Sequence, residues 1–232
     1  MVGQAPHWAY RLLKAFPAFR HHNYRLFFVG QLTSLIGTWM QIVALGWFVL
    51  TITNSAFWVA FVTALDLLPI LFLSLPAGIV ADRVEKRLIV FTMQVVMMVA
   101  AFLLAMLSQL EIANLFIISL LALVAGSAHA FEMPARQSFM FEVVGKRDLP
   151  SAIALNVGMF NSARVIGPAI AGVLIAVFSI PLAFFINGIS YLAVLFVLLK
   201  MRVRRTSSPI HPHPFEQLKE GVRFSITHVH IR

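Results

Sequence analysis

Four groups of residues in this chain could do chemistry, and all of them lie in strongly apolar surroundings. Asp66 stands inside a long hydrophobic stretch, where an ionised carboxylate is costly, so it is a candidate proton carrier or an acid satisfied by a neighbouring helix. Arg164 is the basic counterpart and demands a partner, for which Glu132 and Glu142 are the candidates; a structural ion pair and contact with a bound solute are both open. Gln31, Ser34, Thr38 and Gln41 recur at three- or four-residue steps and therefore share one helical face. Such a stripe either lines a polar cavity or hydrogen-bonds to other helices. His129 and the pair Gly126-Ser127 are weaker signals. A lone histidine is commonly a packed polar residue, and a serine nucleophile would need a histidine base on another helix, which the sixth apolar stretch lacks.

The elements that must position these groups follow from length and hydropathy. Of 232 residues 60% are hydrophobic and 12% charged, with a mean hydropathy of +0.88, more apolar surface than a water-soluble core can hide. A spanning helix needs roughly 20 apolar residues for a hydrocarbon core about 30 Å thick. Spans are expected at 26–50, 57–81, 88–110, 114–131, 156–178 and 181–199, giving an all-α membrane protein built as a six-helix bundle. Residues 1–25 form a segment before it, lacking the apolar core and cleavage site of a secretory signal. Residues 200–232 follow as a Ser-, Pro- and His-rich linker and a mixed amphipathic tail. Asp66 then lies roughly 13 Å deep in the second span, and Arg164 roughly 12 Å into the fifth.

The charge pattern orients the bundle. The short links 51–56, 111–113 and 179–180 carry no Lys or Arg, whereas all 18 basic residues except Arg164 fall on the other side. By the positive-inside rule both termini are cytoplasmic. The net charge of +9 therefore marks loops beside an anionic leaflet rather than a nucleic-acid groove. With no cysteine, thiolate chemistry and Cys-ligated metals are excluded. The pairs His211/His213 and His228/His230 sit in the tail and read as linker, so neither a metal nor another cofactor is expected.

Two motifs narrow the class. Gly78-Ile-Val-Ala-Asp82-Arg83-Val-Glu85-Lys86-Arg87, between the second and third spans, resembles the major facilitator signature GxxxDRxGRK/R, with Glu85 in place of its second glycine. Gly78 would permit close helix approach, and Asp82 would pair with a cation across a domain interface to lock one conformation, while Arg83, Lys86 and Arg87 also serve as topology-setting charges. Asn161-Ser-Ala163-Arg164-Val-Ile-Gly167-Pro168-Ala-Ile-Ala171-Gly172 resembles the fifth-span GPxxGG motif of drug and metabolite antiporters, with Ala171 in place of a glycine. Ala163, Gly167 and Ala171 are spaced for close helix packing, and Pro168 for a bend. Together with Phe131-Glu132-Met-Pro134-Ala135-Arg136-Gln137, Arg25-Leu-Phe-Phe with Gly30-Gln31, and Asp148-Leu-Pro-Ser-Ala152, these resemble a bacterial branch of the superfamily that includes the enterobactin exporter.

The resemblance implies a proton-coupled antiporter in the bacterial inner membrane, not an enzyme, that exports a small molecule such as a siderophore or drug by alternating access between two six-span halves. This chain corresponds to the amino-terminal half, and Phe215 to Phe224 resemble the stretch before a seventh span. A truncated or split reading frame is thus expected, with a missing carboxy-terminal half or a second copy as partner. The rival readings are an inactive remnant and the six-span permease half of an ATP-driven exporter, although no phosphate-binding Gly-x-x-x-x-Gly-Lys-Ser/Thr loop occurs.

Overall fold

The computed structural model describes residues 16–201. The tail expected over 200–232, with its histidine pairs, lies almost wholly outside the described residues, as does most of the segment before residue 16. After a short 3-10 turn at Pro17–Arg20 come five helices long and apolar enough to cross a membrane: α1 (His22–Thr53), α2 (Ala56–Arg83), α3 (Lys86–Gln109), α4 (Leu115–Val177) and α5 (Ile180–Lys200). Helix is what hydrocarbon requires, because no water is present there to satisfy an open backbone N–H or C=O.

The helix count differs from the six expected, and α4 is the reason. Its 63 residues would reach about 95 Å if straight, some three times the hydrocarbon thickness. At Gly145 the backbone leaves helical geometry, with φ 72° and ψ 172°, a conformation open almost solely to glycine. Arg136 and Asn156, about 30 Å apart on a straight helix, are joined there by a 3.0 Å hydrogen bond. The chain therefore doubles back, and the arms 115–144 and 146–177 are the fourth and fifth crossings. What the sequence suggested was a loop over 132–155 is helical on both sides of this elbow, so the fourth crossing continues well past Phe131.

The other reversals are tight. Asn54 ends α1 in the left-handed region at φ 48°, Glu111 follows α3 at φ 56°, and the Asn114 side chain accepts from the Ile117 N–H at 2.9 Å to cap α4. Between α2 and α3, Val84 (φ −105°) and Glu85 (φ −57°) both keep negative φ, so the turn forms without the motif's second glycine.

Two apolar clusters hold the bundle. At the end bearing the basic loops, Phe27, Ile89, Val90, Phe139, Val194 and Leu198 pack together, with Phe27 and Phe139 edge to face at 5.4 Å. At the opposite end Phe48, Val49, Val62, Leu104, Ile118 and Phe184 do the same. The closest approaches use glycine. A Cβ on Gly126 would lie 2.8 Å from the Asp66 carbonyl carbon, locking α4 onto α2, and one on Gly167 would lie 2.6 Å from the Trp39 Cβ and 2.8 Å from the Ile36 carbonyl oxygen, locking the second arm onto α1. Ala163 and Ala171, one turn either side of Gly167, are fully buried.

Candidate functional site

The basic end carries the first set of site residues. Lys86 Nζ lies 3.3 Å from Glu142 Oε1, tying the start of α3 to the first arm of α4. Arg87 Nη2 donates to the carbonyls of Leu198 and Leu199, placing a cation on the C-terminal end of α5, where the helix dipole favours it. Asp82 and Arg83 are exposed and make no ion pair among the described residues. Among the described residues no helix comes close at Gly78, where a Cβ would meet nothing within 4 Å. Nearby, His21 Nε2 and Asp148 Oδ2 are 2.8 Å apart and the Tyr24 hydroxyl donates to the Ala152 carbonyl, strapping the start of the chain to the elbow.

A buried polar chain runs through the bundle just inside this end. Ser34 Oγ donates to Gln94 Oε1 (3.3 Å), and Gln94 Nε2 donates to Glu132 Oε1 (3.5 Å). Arg136 Nε sits 3.0 Å from the same Glu132 oxygen, near enough for an ion pair but off-line for a hydrogen bond, while Nη1 donates to Asn156. Both charges are buried, and the chain links α1, α3 and the two arms of α4. Glu132 is thus the partner of Arg136 and not of Arg164. Glu142 is likewise taken by Lys86, so neither ion pair expected for Arg164 forms.

The polar stripe of α1 faces other helices. Besides the Ser34–Gln94 bond, Thr38 Oγ1 is 3.3 Å from the Tyr191 hydroxyl and Gln41 Oε1 accepts from Asn187 Nδ2 at 2.7 Å. Gln31 is buried with its Oε1 unbonded. Helix–helix bonding accounts for one contact each of Ser34, Thr38 and Gln41, and Thr38 and Gln41 remain half-buried. Sequence reasoning missed the residues that answer them: Gln94, Asn187 and Tyr191 stand in otherwise apolar spans, and Arg136 lies four residues after Glu132, a spacing that marks a helical ion pair.

Asp66 is half-buried on α2, its backbone against Gly126, and the half-buried His129 stands one turn along that arm. Ser127 Oγ donates to the Leu123 carbonyl of its own helix, an ordinary intrahelical bond. On the second arm the backbone stays helical through Pro168, Gly167 mediates the α1 contact anticipated for it, and a Cβ on Gly172 would meet nothing within 4 Å. Arg164 is exposed and lies over the Trp39 ring, 5.5 Å from its centroid.

This arrangement, a six-crossing bundle with its signature loop pinned at Lys86 and Arg87, meets a family model described as "Transmembrane secretion effector" over residues 13–232. The chain belongs to this major facilitator family. It is 30% identical over 206 residues to the staphyloferrin A transporter of Staphylococcus aureus, covering 88% of this chain and 52% of that protein. To the uncharacterized MFS-type transporter YfiS of Bacillus subtilis it is 25% identical over 208 residues, covering 84% and 47%. To the multidrug efflux pump Tap of Mycolicibacterium fortuitum it is 29% identical over 159 residues, covering 65% and 38%. The chain spans about half the length of the first two relatives. A multi-pass membrane protein of a transporter family is the identity that fold and comparisons share.

Proposed function

We propose that this chain is one six-helix half of a proton-driven exporter of small organic molecules in the bacterial plasma membrane, with both termini on the cytoplasmic side. The observation that carries the two-half reading is the state of the signature loop. Lys86 and Arg87 are spent on Glu142 and on the end of α5, whereas Asp82 and Arg83 point outward uncommitted, available to a second bundle. Relatives about twice as long support the same reading, as does the similarity to the multidrug efflux pump Tap. The basic loops set the orientation. Asp66 is the coupling carboxylate: it is set at membrane depth, half-buried on α2 against the arm that carries His129, and it binds and releases a proton as the bundle alternates.

The test is reconstitution in liposomes, with the chain alone and with a companion six-span bundle, under an imposed pH gradient. Ethidium serves as cationic probe and carboxyfluorescein as anionic probe. Movement that a protonophore abolishes and that needs Asp66 is expected when two bundles are present. The same movement by the chain alone would make the companion a second copy, and absence of protonophore-sensitive movement in both preparations would refute the transport reading.

A further inference from the structure

Arg164 stands in the second arm of α4 about 20 Å from its far end at Val177, against the middle of α1, and is exposed on the bundle surface. A guanidinium at that depth is too costly to face lipid, so this surface opens onto a cavity or onto other protein. Among the described residues no carboxylate neutralises it. Glu132 holds Arg136, Glu142 holds Lys86, Asp148 holds His21, and Asp66 lies on α2 against the first arm. What Arg164 has is a platform. Its Cζ lies 5.5 Å over the Trp39 ring, and that ring meets Phe160 edge to face at 5.5 Å and 77°. This cation–π contact sets the guanidinium beside an aromatic surface, and its N–H groups, which make no hydrogen bond among the described residues, can take a planar carboxylate through two parallel hydrogen bonds.

We propose that Arg164, Trp39 and Phe160 form the substrate subsite and that it takes a small organic carboxylate carrying an apolar or aromatic part. The carboxylate sits on the guanidinium edge, and the apolar part covers Phe160, 38% exposed, and the uncovered side of Trp39. An acidic side chain of a companion bundle offers the same carboxylate chemistry but would leave that aromatic surface bare, which favours a ligand. The assignment rests on the transport reading above and names the substrate class for it.

The probe is 1-naphthoate, with neutral 1-naphthylmethanol as control, titrated into the full chain in lipid nanodiscs. Trp8, Trp47 and Trp58 are replaced by Phe so that Trp39 alone reports by fluorescence quenching. Saturable quenching by naphthoate is expected, and R164Q weakens it roughly ten- to a hundredfold, the range for a lost charge-assisted hydrogen bond. R164K, which keeps the charge but not the fork, weakens it severalfold, and naphthylmethanol binds weakly to every form. R164K and the neutral control decide the matter even if R164Q does not fold. Unsaturable quenching in the parent chain, equal affinity for acid and alcohol, or R164Q and R164K binding like the parent would overturn the site. So would R164Q releasing a co-purified companion bundle with naphthoate affinity unchanged, which assigns Arg164 to a protein carboxylate. Arg164-dependent naphthoate binding by a chain that moves no probe in liposomes refutes the transport reading and not the site. Protonophore-sensitive ethidium movement without naphthoate binding refutes the site and not transport.

Discussion

Replacing Gly167 by Ala tests the contact on which the α1 face depends. The new Cβ would stand 2.6 Å from the Trp39 Cβ, 2.8 Å from the Ile36 carbonyl oxygen and 2.9 Å from the Met40 nitrogen. The tightest of these is about 0.8 Å short of the 3.4 Å at which ordinary contact begins, and two of the three atoms are backbone, so no side chain can swing away. The second arm and α1 must separate by most of that distance, loosening Leu35, Met159 and Ala163 as well. Overpacking of this kind costs about 1–3 kcal/mol. Gly172→Ala, five residues on in the same helix, is the matched control: its Cβ meets nothing within 4 Å, so only the helix preference of alanine remains, a gain of up to about 1 kcal/mol. The helix preference of alanine applies to both variants, so reversible unfolding of the purified chain in mixed micelles should separate them by about 1–3 kcal/mol, with Gly167→Ala the less stable. Equal stabilities, or a Gly172→Ala variant less stable than Gly167→Ala, would refute the close approach of these helices.

The other predictions concern the charges and the elbow. Glu132→Ala strands Arg136 in the bundle and should cost about 3–5 kcal/mol in the same assay, whereas Glu132→Leu combined with Arg136→Met restores most of it; additive losses would contradict the pairing. Gly145→Ala adds a Cβ that touches nothing yet forces φ 72° on an L-residue, so a loss of about 1–3 kcal/mol is expected from torsion alone, and a neutral result would mean that the elbow is not bent in this way. Asp82→Asn should leave the chain's stability within about 0.5 kcal/mol of the parent while impairing transport by the two-bundle form; marked destabilisation would show that Asp82 has a partner inside the bundle. Asp66→Asn should abolish gradient-driven movement and spare exchange, and unchanged uphill transport would remove it from the coupling step.

Hydropathy and charge made the six crossings and their common basic end readable, because both depend on local composition alone. The end of the fourth crossing was not readable, since Glu132 and Arg136 look like loop residues until each is seen to neutralise the other. The same blindness produced the wrong partner for Arg164: sequence gives a list of acids, and only packing shows that Glu132 and Glu142 are already occupied. Small-residue spacing was informative at Ala163, Gly167 and Ala171 but not at Gly78, because a glycine's neighbour lies on another helix and leaves no trace in its own span. The α1 stripe was correctly seen as a face. Whether that face meets water or Gln94, Asn187 and Tyr191 depends on side chains at least 60 residues from their partners in the chain.

Trp39 carries two contacts at once. Its Cβ is the atom against which Gly167 is seated, and its ring is the surface on which Arg164 rests. The seam between α1 and the second arm and the position of the intramembrane charge are consequently a single mechanical coordinate. A slide of one helix along the other would therefore shift the ring beneath Arg164 at the same time as it opened the Gly167 contact.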